Sequence, residues 1–376
     1  MKSTDFLDML KSTFGIEFYT GVPDSLLSSF VGEIIGRYGI SASHVIAANE
    51  GNAAALAAGY HLSTGKIPCI YMQNSGQGNM VNPYASLLHQ EVYKIPAVFV
   101  IGWRGEPGNT DEPQHVFQGK ITNRLMELLG ISTAVISEEE SIEKMDKICS
   151  GFKTQLAEGK CVGFVVRKGA LGSDLKRHYQ NRYMLNREDA ISELVTAAKG
   201  DIVVCTTGKA SRELFEIRER NSDTHSRDFL TVGSMGHSSS IALGIALQKK
   251  ERLVWCIDGD GAMLMHMGAM AVIGAAQPKN YIHVLLNNEA HETVGGMPTA
   301  AVKTDFLKIA EGCGYKYIVR AETLEELRSA AVQARKAGEL AFIEVKTALG
   351  ARGDLGRPTT TAEENKLNFM EFLQEK

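Results

Sequence analysis

The feature that most constrains this chain is the stretch from Gly259 to Asn288. It opens with Gly259-Asp260-Gly261 and closes with Asn287-Asn288. An apolar run precedes each end, Leu253-Val254-Trp255-Cys256-Ile257 before the aspartate and Ile282-His283-Val284-Leu285-Leu286 before the asparagines. Both are short and β-rich, sized for buried strands. Between them, Met263 to Ala276 is helix-sized and poor in β-branched residues. Strand, helix and strand predict a parallel pair, which places Asp260 and Asn288 at adjacent strand ends. A carboxylate and an amide oxygen side by side suit a hard cation, and the flanking glycines let a phosphate-bearing ligand approach the backbone. Gly, Asp and Asn also dominate ordinary turns, so either end alone is equally served by loop chemistry.

With 376 residues the chain has room for two domains with proper cores. A formal net charge of -4 gives no electrostatic reason to expect nucleic acid or an anionic membrane as partner. The first residues, Met1-Lys2-Ser3-Thr4-Asp5-Phe6-Leu7-Asp8, carry acids where a secretion signal carries its apolar core, and no later apolar run reaches membrane-spanning length. A cytoplasmic protein acting on a small molecule is expected. The 6 cysteines form no CxxC pair and mostly fall in apolar runs, as reduced core residues do.

Along the first half, Ser3 to Phe14 reads as an amphipathic helix stopped by Gly15. A strand then feeds the turn Val22-Pro23-Asp24-Ser25, where Asp24 can cap the next helix or, with Ser25, meet a substrate. A strand over 44–48 leads to Glu50-Gly51-Asn52 and the run Ala53-Ala54-Ala55-Leu56-Ala57-Ala58, strongly helical and suited to close packing. In a first turn Glu50 complements the helix dipole as readily as it performs chemistry. Strand 67–72 ends in Gln73-Asn74-Ser75-Gly76, the kind of polar strand end where open α/β sheets bind ligands. A helix over 80–89 and a strand over 97–101 precede the long irregular stretch 102–115, with Arg104 and His115 its notable residues. A helix over 142–156 and a strand over 161–166 complete the half.

Residues 168–185, rich in Gly and basic residues, read as a linker, and Asn186 can cap the helix that follows. Strand 201–205 then ends in Thr206-Thr207-Gly208-Lys209-Ala210-Ser211, a strand, turn and helix start that offers N–H groups and hydroxyls to a phosphate. Gly233-Ser234-Met235-Gly236-His237 opens the next helix, and Met235 by itself is an ordinary core methionine. After Asn288 the loop 289–298 is expected over the site. The last clear strand is 341–345, followed by a tail carrying Arg352 and Arg357.

The GDG and NN ends resemble the Mg-diphosphate motif of thiamine diphosphate enzymes. Glu50-Gly51-Asn52-Ala53-Ala54-Ala55-Leu56-Ala57-Ala58-Gly59-Tyr60 resembles the segment of the same enzymes whose glutamate meets the cofactor's aminopyrimidine ring. This implies an α/β fold of two doubly wound parallel-sheet domains of the thiamine diphosphate-binding type: a pyrimidine-binding domain over 1–168, a linker over 169–185 and a diphosphate/Mg domain over 186–376. It implies thiamine diphosphate and Mg2+ as cofactors, with the metal on Asp260, Asn288 and the carbonyl of Ala290. Cofactor contacts are implied for Glu50, Thr207, Gly208, Ser211, Met235, Gly259, Gly261, Ala262 and Asn288. A carboxyl on the ring's N1' favours the imino tautomer, whose 4' nitrogen takes the proton from the thiazolium carbon. Burial raises the pKa of such a glutamate and a helix N-terminus lowers it, and the residues alone leave the balance open.

The short linker leaves no room for a middle domain, and that compact form resembles the phosphonopyruvate and sulfopyruvate decarboxylases. Thr20-Gly21-Val22-Pro23-Asp24-Ser25-Leu26, Thr207-Gly208-Lys209-Ala210-Ser211-Arg212-Glu213-Leu214, Gly295-Gly296-Met297-Pro298-Thr299 and Asp354-Leu355-Gly356-Arg357-Pro358-Thr359 point within it to the phosphonopyruvate decarboxylase family. Lys209 stands at a position that the family is not expected to keep fixed. The implied reaction converts 3-phosphonopyruvate to phosphonoacetaldehyde and CO2 through the cofactor's ylide, in phosphonate biosynthesis. His115 and His291 are the candidate proton carriers, and Asp24, Ser25, Ser75, Arg104, Arg352 and Arg357 the candidates for gripping the phosphonate. The implied site spans two chains, so a homo-oligomer is expected. Sulfopyruvate decarboxylation, acetolactate-type carboligation and a non-catalytic cofactor-binding subunit are the competing readings, and the presence of both Glu50 and the metal motif argues against the last.

Overall fold

A computed structural model describes residues 1–138, 142–173 and 179–375, the side chains of 142 and 143 excepted. The chain divides into two compact units, Met1–His178 and Tyr179–Lys376. In the first, strands β1 (Tyr19–Gly21), β2 (His44–Ile46), β3 (Cys69–Gln73), β4 (Val98–Gly102), β5 (Ser132–Ile136) and β6 (Val162–Val166) form one sheet in the order β2-β1-β3-β4-β6-β5. Every neighbouring pair is parallel. In the second, β7 (Ile202–Cys205), β8 (Asp228–Leu230), β9 (Val254–Gly259) and β10 (Tyr281–Asn287) are followed by a two-stranded ribbon, β11 (Ala290–His291) and β12 (Met297–Pro298), and then by β13 (Tyr317–Ala321) and β14 (Ala341–Lys346). Its main sheet runs β13-β14-β10-β9-β7-β8. Counted from its own first strand and read from the β8 edge, that is the order of the first sheet, so the two units share one topology.

Residue alternation builds the layers. In the second unit Val203, Trp255, Ile257, Ile282, Val284 and Ile343 face one way, against helices Arg187–Ala198, Lys209–Arg220 and Leu324–Ala337. Val204, Val254, Cys256, Leu285 and Phe342 face the other, against helices Ser238–Gln248, Gly268–Ala276 and Phe306–Gly312. A strand buried on both faces must be apolar at every position, which is why β9 and β10 read as continuous apolar runs. In the first unit the small-residue helix Glu50–Thr64 packs Ala53, Ala54, Ala57 and Ala58 against Ile70, Met72 and Phe99. Around Phe164, aromatic edges from Phe6 and Phe152 meet it at centroid distances of 5.3 and 5.2 Å.

Both units are doubly wound, as expected, and the order locates their crevices. From β1 the chain crosses to β2 on one side and returns to β3 on the other, so a crevice opens beyond the carboxyl ends of β1 and β3. In the second unit the equivalent crevice lies beyond β7 and β9.

Several local expectations need correction. The segment after Asp260 is two helices, Asp260–Met265 and Gly268–Ala276, rather than one. Helix Pro113–Leu128 and strand β5 are additional elements, and His115 lies in the first turn of that helix rather than in a loop. Asp24 caps no helix: its Oδ2 accepts from the N–H of Leu26, and the next helix starts at Ser28 without a side-chain cap. Asn186 likewise makes no capping bond to the helix it precedes. Of the stretch read as a linker, Ala170 accepts a bond from the amino group of Met1 and Gly172 bridges Lys2, while Asn181 donates to the carbonyls of Asn288 and Thr347. Residues 174–178 of it lie outside the described residues. Among the described residues no helix is long and apolar enough to cross a membrane, and all six cysteines are free.

Candidate active site

In the first unit the crevice holds a buried polar corner. Asn49 caps helix Glu50–Thr64 by accepting from the N–H of Asn52, which sets Glu50 in the first turn, 4% exposed. Its Oε2 accepts from Nδ2 of Asn79 at 2.7 Å. Its Oε1 side meets the backbone of Gly76 so closely that a Cβ there would stand 2.1 Å away. Burial raises the pKa of Glu50 against the opposing Asn79 bond. Desolvation here outweighs the Asn79 bond and the backbone N–H at Glu50, the two contacts that favour the charged form.

Beside it, Asp24 is fully buried where Gly102, at the end of β4, leaves room for its carboxyl. Asp24 Oδ1 accepts from Nε2 of Gln73 at 2.6 Å, and Ser75 Oγ donates to Oε1 of Gln73 at 2.7 Å. Burial raises the Asp24 pKa despite Gln73 and Arg104. Arg104 follows the end of β4. Its backbone is clamped by Asn74, which accepts from the Arg104 N–H at 3.1 Å and donates to its carbonyl at 2.8 Å. Its guanidinium donates through Nε and Nη2 to Asp111 and through Nη1 to Ser25 Oγ at 3.0 Å. Burial works to raise the Asp111 carboxyl, but Arg104 and the N–H groups of Glu112 and Gly105 hold it below the usual carboxylate range. His115 has its Nδ1 buried without a hydrogen-bond partner, and burial followed by the charge of Arg104 lowers its pKa. Asp24, Ser25, Ser75 and Arg104 thus come together at the ends of three neighbouring strands. The polar strand end at Gln73 was legible as a stretch, but the particular partners Gln73, Asn79 and Asp111 were not, since an amide or an acid in a polar loop carries no signal of what it will face.

In the second unit the register pairs Leu286 with Gly259, so Asp260 and Asn288 continue adjacent strands, as the spacing predicts. Asp260 is 3% exposed, and its Oδ2 accepts from Thr299 Oγ1 at 2.6 Å. Burial pushes its pKa up to about 7. A buried carboxyl so costly to ionise is what a bound cation would return to the charged form. Asn288 accepts through Oδ1 from the N–H of Ala290 and donates through Nδ2 to Glu292 at 2.9 Å. Its second Oδ1 lone pair is of the right chemistry for the same cation. The turn between them places Glu289 at φ 65°, left-handed for a side-chain-bearing residue, where Tyr183 and Lys346 hold its carboxylate.

Facing these groups, β7 ends at Cys205, and Gly208, with φ 91°, turns the chain into helix Lys209–Arg220. Ser211 Oγ donates to the carbonyl of Thr206 and Thr207 Oγ1 to that of Val232, which fixes both hydroxyls while leaving their oxygens able to accept. A Cβ on Gly261 would meet the His291 ring at 3.0 Å and Met235 Cε at 3.3 Å, so those two side chains converge on one glycine. Ala262 lies beside it, 4% exposed. His291 sits on the β11–β12 ribbon, and burial pushes its pKa down to about 4. Arg352 is spoken for by Glu188, Glu216 and Asp354, and Arg357 is exposed.

Residues 3–126 match the model described as "Thiamine pyrophosphate enzyme, N-terminal TPP binding domain", and residues 205–345 match the corresponding C-terminal domain. A phosphonopyruvate decarboxylase of Streptomyces viridochromogenes is 32% identical, covering 96% of this chain and 92% of that protein. One from Streptomyces hygroscopicus is 33% identical, covering 98% and 94%. A sulfopyruvate decarboxylase of Methanosarcina acetivorans is 30% identical over 87% of each chain. Full-length likeness of this degree, with both halves matched in order, establishes the lineage: the chain belongs to the phosphonopyruvate decarboxylase family of thiamine pyrophosphate-dependent enzymes.

Proposed function

We propose that this enzyme decarboxylates 3-phosphonopyruvate to phosphonoacetaldehyde and CO2, with thiamine diphosphate and Mg2+, as a step of phosphonate biosynthesis. The observation that carries the reading is Glu50: a buried carboxyl with a raised pKa, held against glycine at a helix N-terminus. Bound thiamine diphosphate supplies a carbon nucleophile for the keto group and a cationic ring that takes up the electrons released with CO2. Glu50 holds or shares the proton that bonds the aminopyrimidine nitrogen, and Asn79 keeps its carboxyl aimed. Asp260, Asn288 and the Ala290 carbonyl hold the metal. Thr207, Gly208, Ser211, Gly259, Gly261 and Ala262 line the diphosphate, and Met235 supports the cofactor.

Arg104 Nη1 and Ser25 Oγ bind the phosphonate, with Ser75 and Asp24 at the edge of the same corner. A buried dianion without partners costs several kcal/mol, which a charged fork and a hydroxyl offset. Because Asp111 occupies two of the Arg104 donors, Nη1 is the one aimed at substrate. His115, whose pKa burial and the charge of Arg104 lower, is one candidate to move a proton. His291 keeps a neutral ring over Gly261. Of the arginines, Arg352 is engaged by three carboxylates, so Arg104 is the preferred fork. Active sites shared between two chains make the enzyme an obligate homo-oligomer in the cytoplasm.

Sulfopyruvate is the second reading, favoured by the Methanosarcina relative, since the same fork suits a sulfonate. Phosphorus NMR of a reaction with phosphonopyruvate tests the first. It should show phosphonoacetaldehyde growing as substrate falls, and a substrate signal unchanged under full cofactor would overturn it.

A further inference from the structure

Glu292, which opens the short turn after β11, stands at the centre of a buried ionic cluster. It accepts from Arg187 Nη1 at 2.6 Å, from Lys209 Nζ at 2.9 Å and from Asn288 Nδ2 at 2.9 Å. Arg187 also grips Glu213 through Nε at 2.8 Å and Nη2 at 2.7 Å. Two cations and two carboxylates close the charge. Arg187, Glu213 and Glu292 are nearly inaccessible, and Lys209 is the partly exposed member. A buried ionic cluster is poor value as a stabiliser, because desolvation consumes most of its Coulombic gain. Fixing a geometry is the better-founded role for one placed here.

We infer that Glu292 is a positioning residue for Asn288, and that Arg187 and Lys209 exist in this place to hold Glu292. A carboxylate only accepts hydrogen bonds, so the amide nitrogen of Asn288 must face Glu292 and its oxygen must face the other way. The Ala290 N–H, 3.1 Å from Oδ1, agrees with that orientation. The two cations also occupy the carboxylate oxygens of Glu292, which keeps a second acid, two residues beyond Ala290, from competing for the metal. This gives Lys209 a role: from the first helical residue after Gly208 its ammonium reaches across to Glu292, the partner of the Asn288 amide. The inference rests on Asn288 being a metal ligand.

Glu292→Gln is the isosteric test. An amide offers one acceptor to three donors, so it cannot keep all of them. Binding of Mn2+ as a stand-in for Mg2+ is read by electron paramagnetic resonance with thiamine diphosphate present, in wild type, Glu292→Gln, Asn288→Ala and the double variant. Loss of an orienting partner typically weakens metal binding about 10- to 100-fold, and that is expected for Glu292→Gln, with kcat recovering at saturating metal and little further loss when it is added to Asn288→Ala. Should Glu292→Gln fold poorly, Lys209→Met removes the half-exposed member and is expected to weaken Mn2+ binding several-fold. If Asn288→Ala weakens binding but Glu292→Gln does not, or if the two losses simply add, Glu292 is structural and the inference is wrong. If Asn288→Ala leaves Mn2+ binding intact, the metal assignment itself falls.

Discussion

Gly76 and the carboxyl of Glu50 occupy space that only a glycine can share: a Cβ on Gly76 would stand 2.1 Å from Oε1 and 2.4 Å from Cδ of Glu50. Real side-chain carbons never come so near, so Gly76→Ala must turn the Glu50 carboxyl away from its seat against Asn79. General acid–base groups contribute about 10²- to 10⁴-fold. Gly76→Ala is expected to lower kcat toward that extent without touching the second unit. Titrating Mg-dependent cofactor binding beside turnover checks it: binding lost as steeply as turnover would place the damage elsewhere.

Glu50→Gln removes the proton-holding carboxyl while keeping its shape. Decarboxylation should fall about 10²- to 10⁴-fold, with Mg-dependent cofactor binding still measurable. Full activity would remove Glu50 from the mechanism.

The same substitution has a signature in stability. The Glu50 pKa is raised in the folded state by burial. Below the ordinary carboxylate pKa the group is neutral in both states and folding carries no penalty. As pH rises through that value toward the raised one, the unfolded chain ionises freely and the folded chain does not, so stability is lost. Denaturant unfolding of the cofactor-free protein at pH 4, 6 and 8 should show wild type losing ground to Glu50→Gln as pH rises. A difference that stays constant, or grows in favour of wild type, would contradict the raised pKa.

What the sequence disclosed, and what it hid, follow from one physical distinction. β9 and β10 are buried on both faces, so their apolar runs and polar ends were legible, and with them the adjacency of Asp260 and Asn288. The place of Glu50 in a first turn was legible because a small-residue helix announces its own start, while its role came from the family resemblance. Strand β5 was not, because it is an edge strand with partly exposed residues and lacks a clear period. Helix Pro113–Leu128 hid for a similar reason: Gly119 interrupts it where its backbone meets Gly105, and only Gly119, Thr122 and Met126 are fully buried. The partners of Arg104 were invisible, since Ser25 lies 79 residues away along the chain and the pairing exists only once β1 and β4 end at one place.

Arg104 offers a test of substrate recognition. Arg104→Ala removes a charge-assisted bond of about 1.5–3 kcal/mol, which is expected to raise the KM for phosphonopyruvate about 10- to 100-fold. Arg104→Lys should recover little of it, because an ammonium cannot reach Asp111 in a fork and Ser25 together. Asp111→Asn, which frees the fork to turn, should raise KM by less than Arg104→Ala. Steady-state kinetics on the three variants decides, and an unchanged KM in all three would move the phosphonate elsewhere.

The central claim, a thiamine diphosphate- and Mg-dependent decarboxylase that recognises its acid by the phosphonate, is tested most directly by CO2 release from phosphonopyruvate, sulfopyruvate and pyruvate, each with and without the two cofactors. The account predicts release from phosphonopyruvate that needs both cofactors, slower release from sulfopyruvate, and kcat/KM for pyruvate lower by about 10⁴-fold, because pyruvate has no second anion to meet the Arg104 guanidinium and the Ser25 hydroxyl. Release from pyruvate as fast as from phosphonopyruvate, or release that persists without thiamine diphosphate, would contradict it.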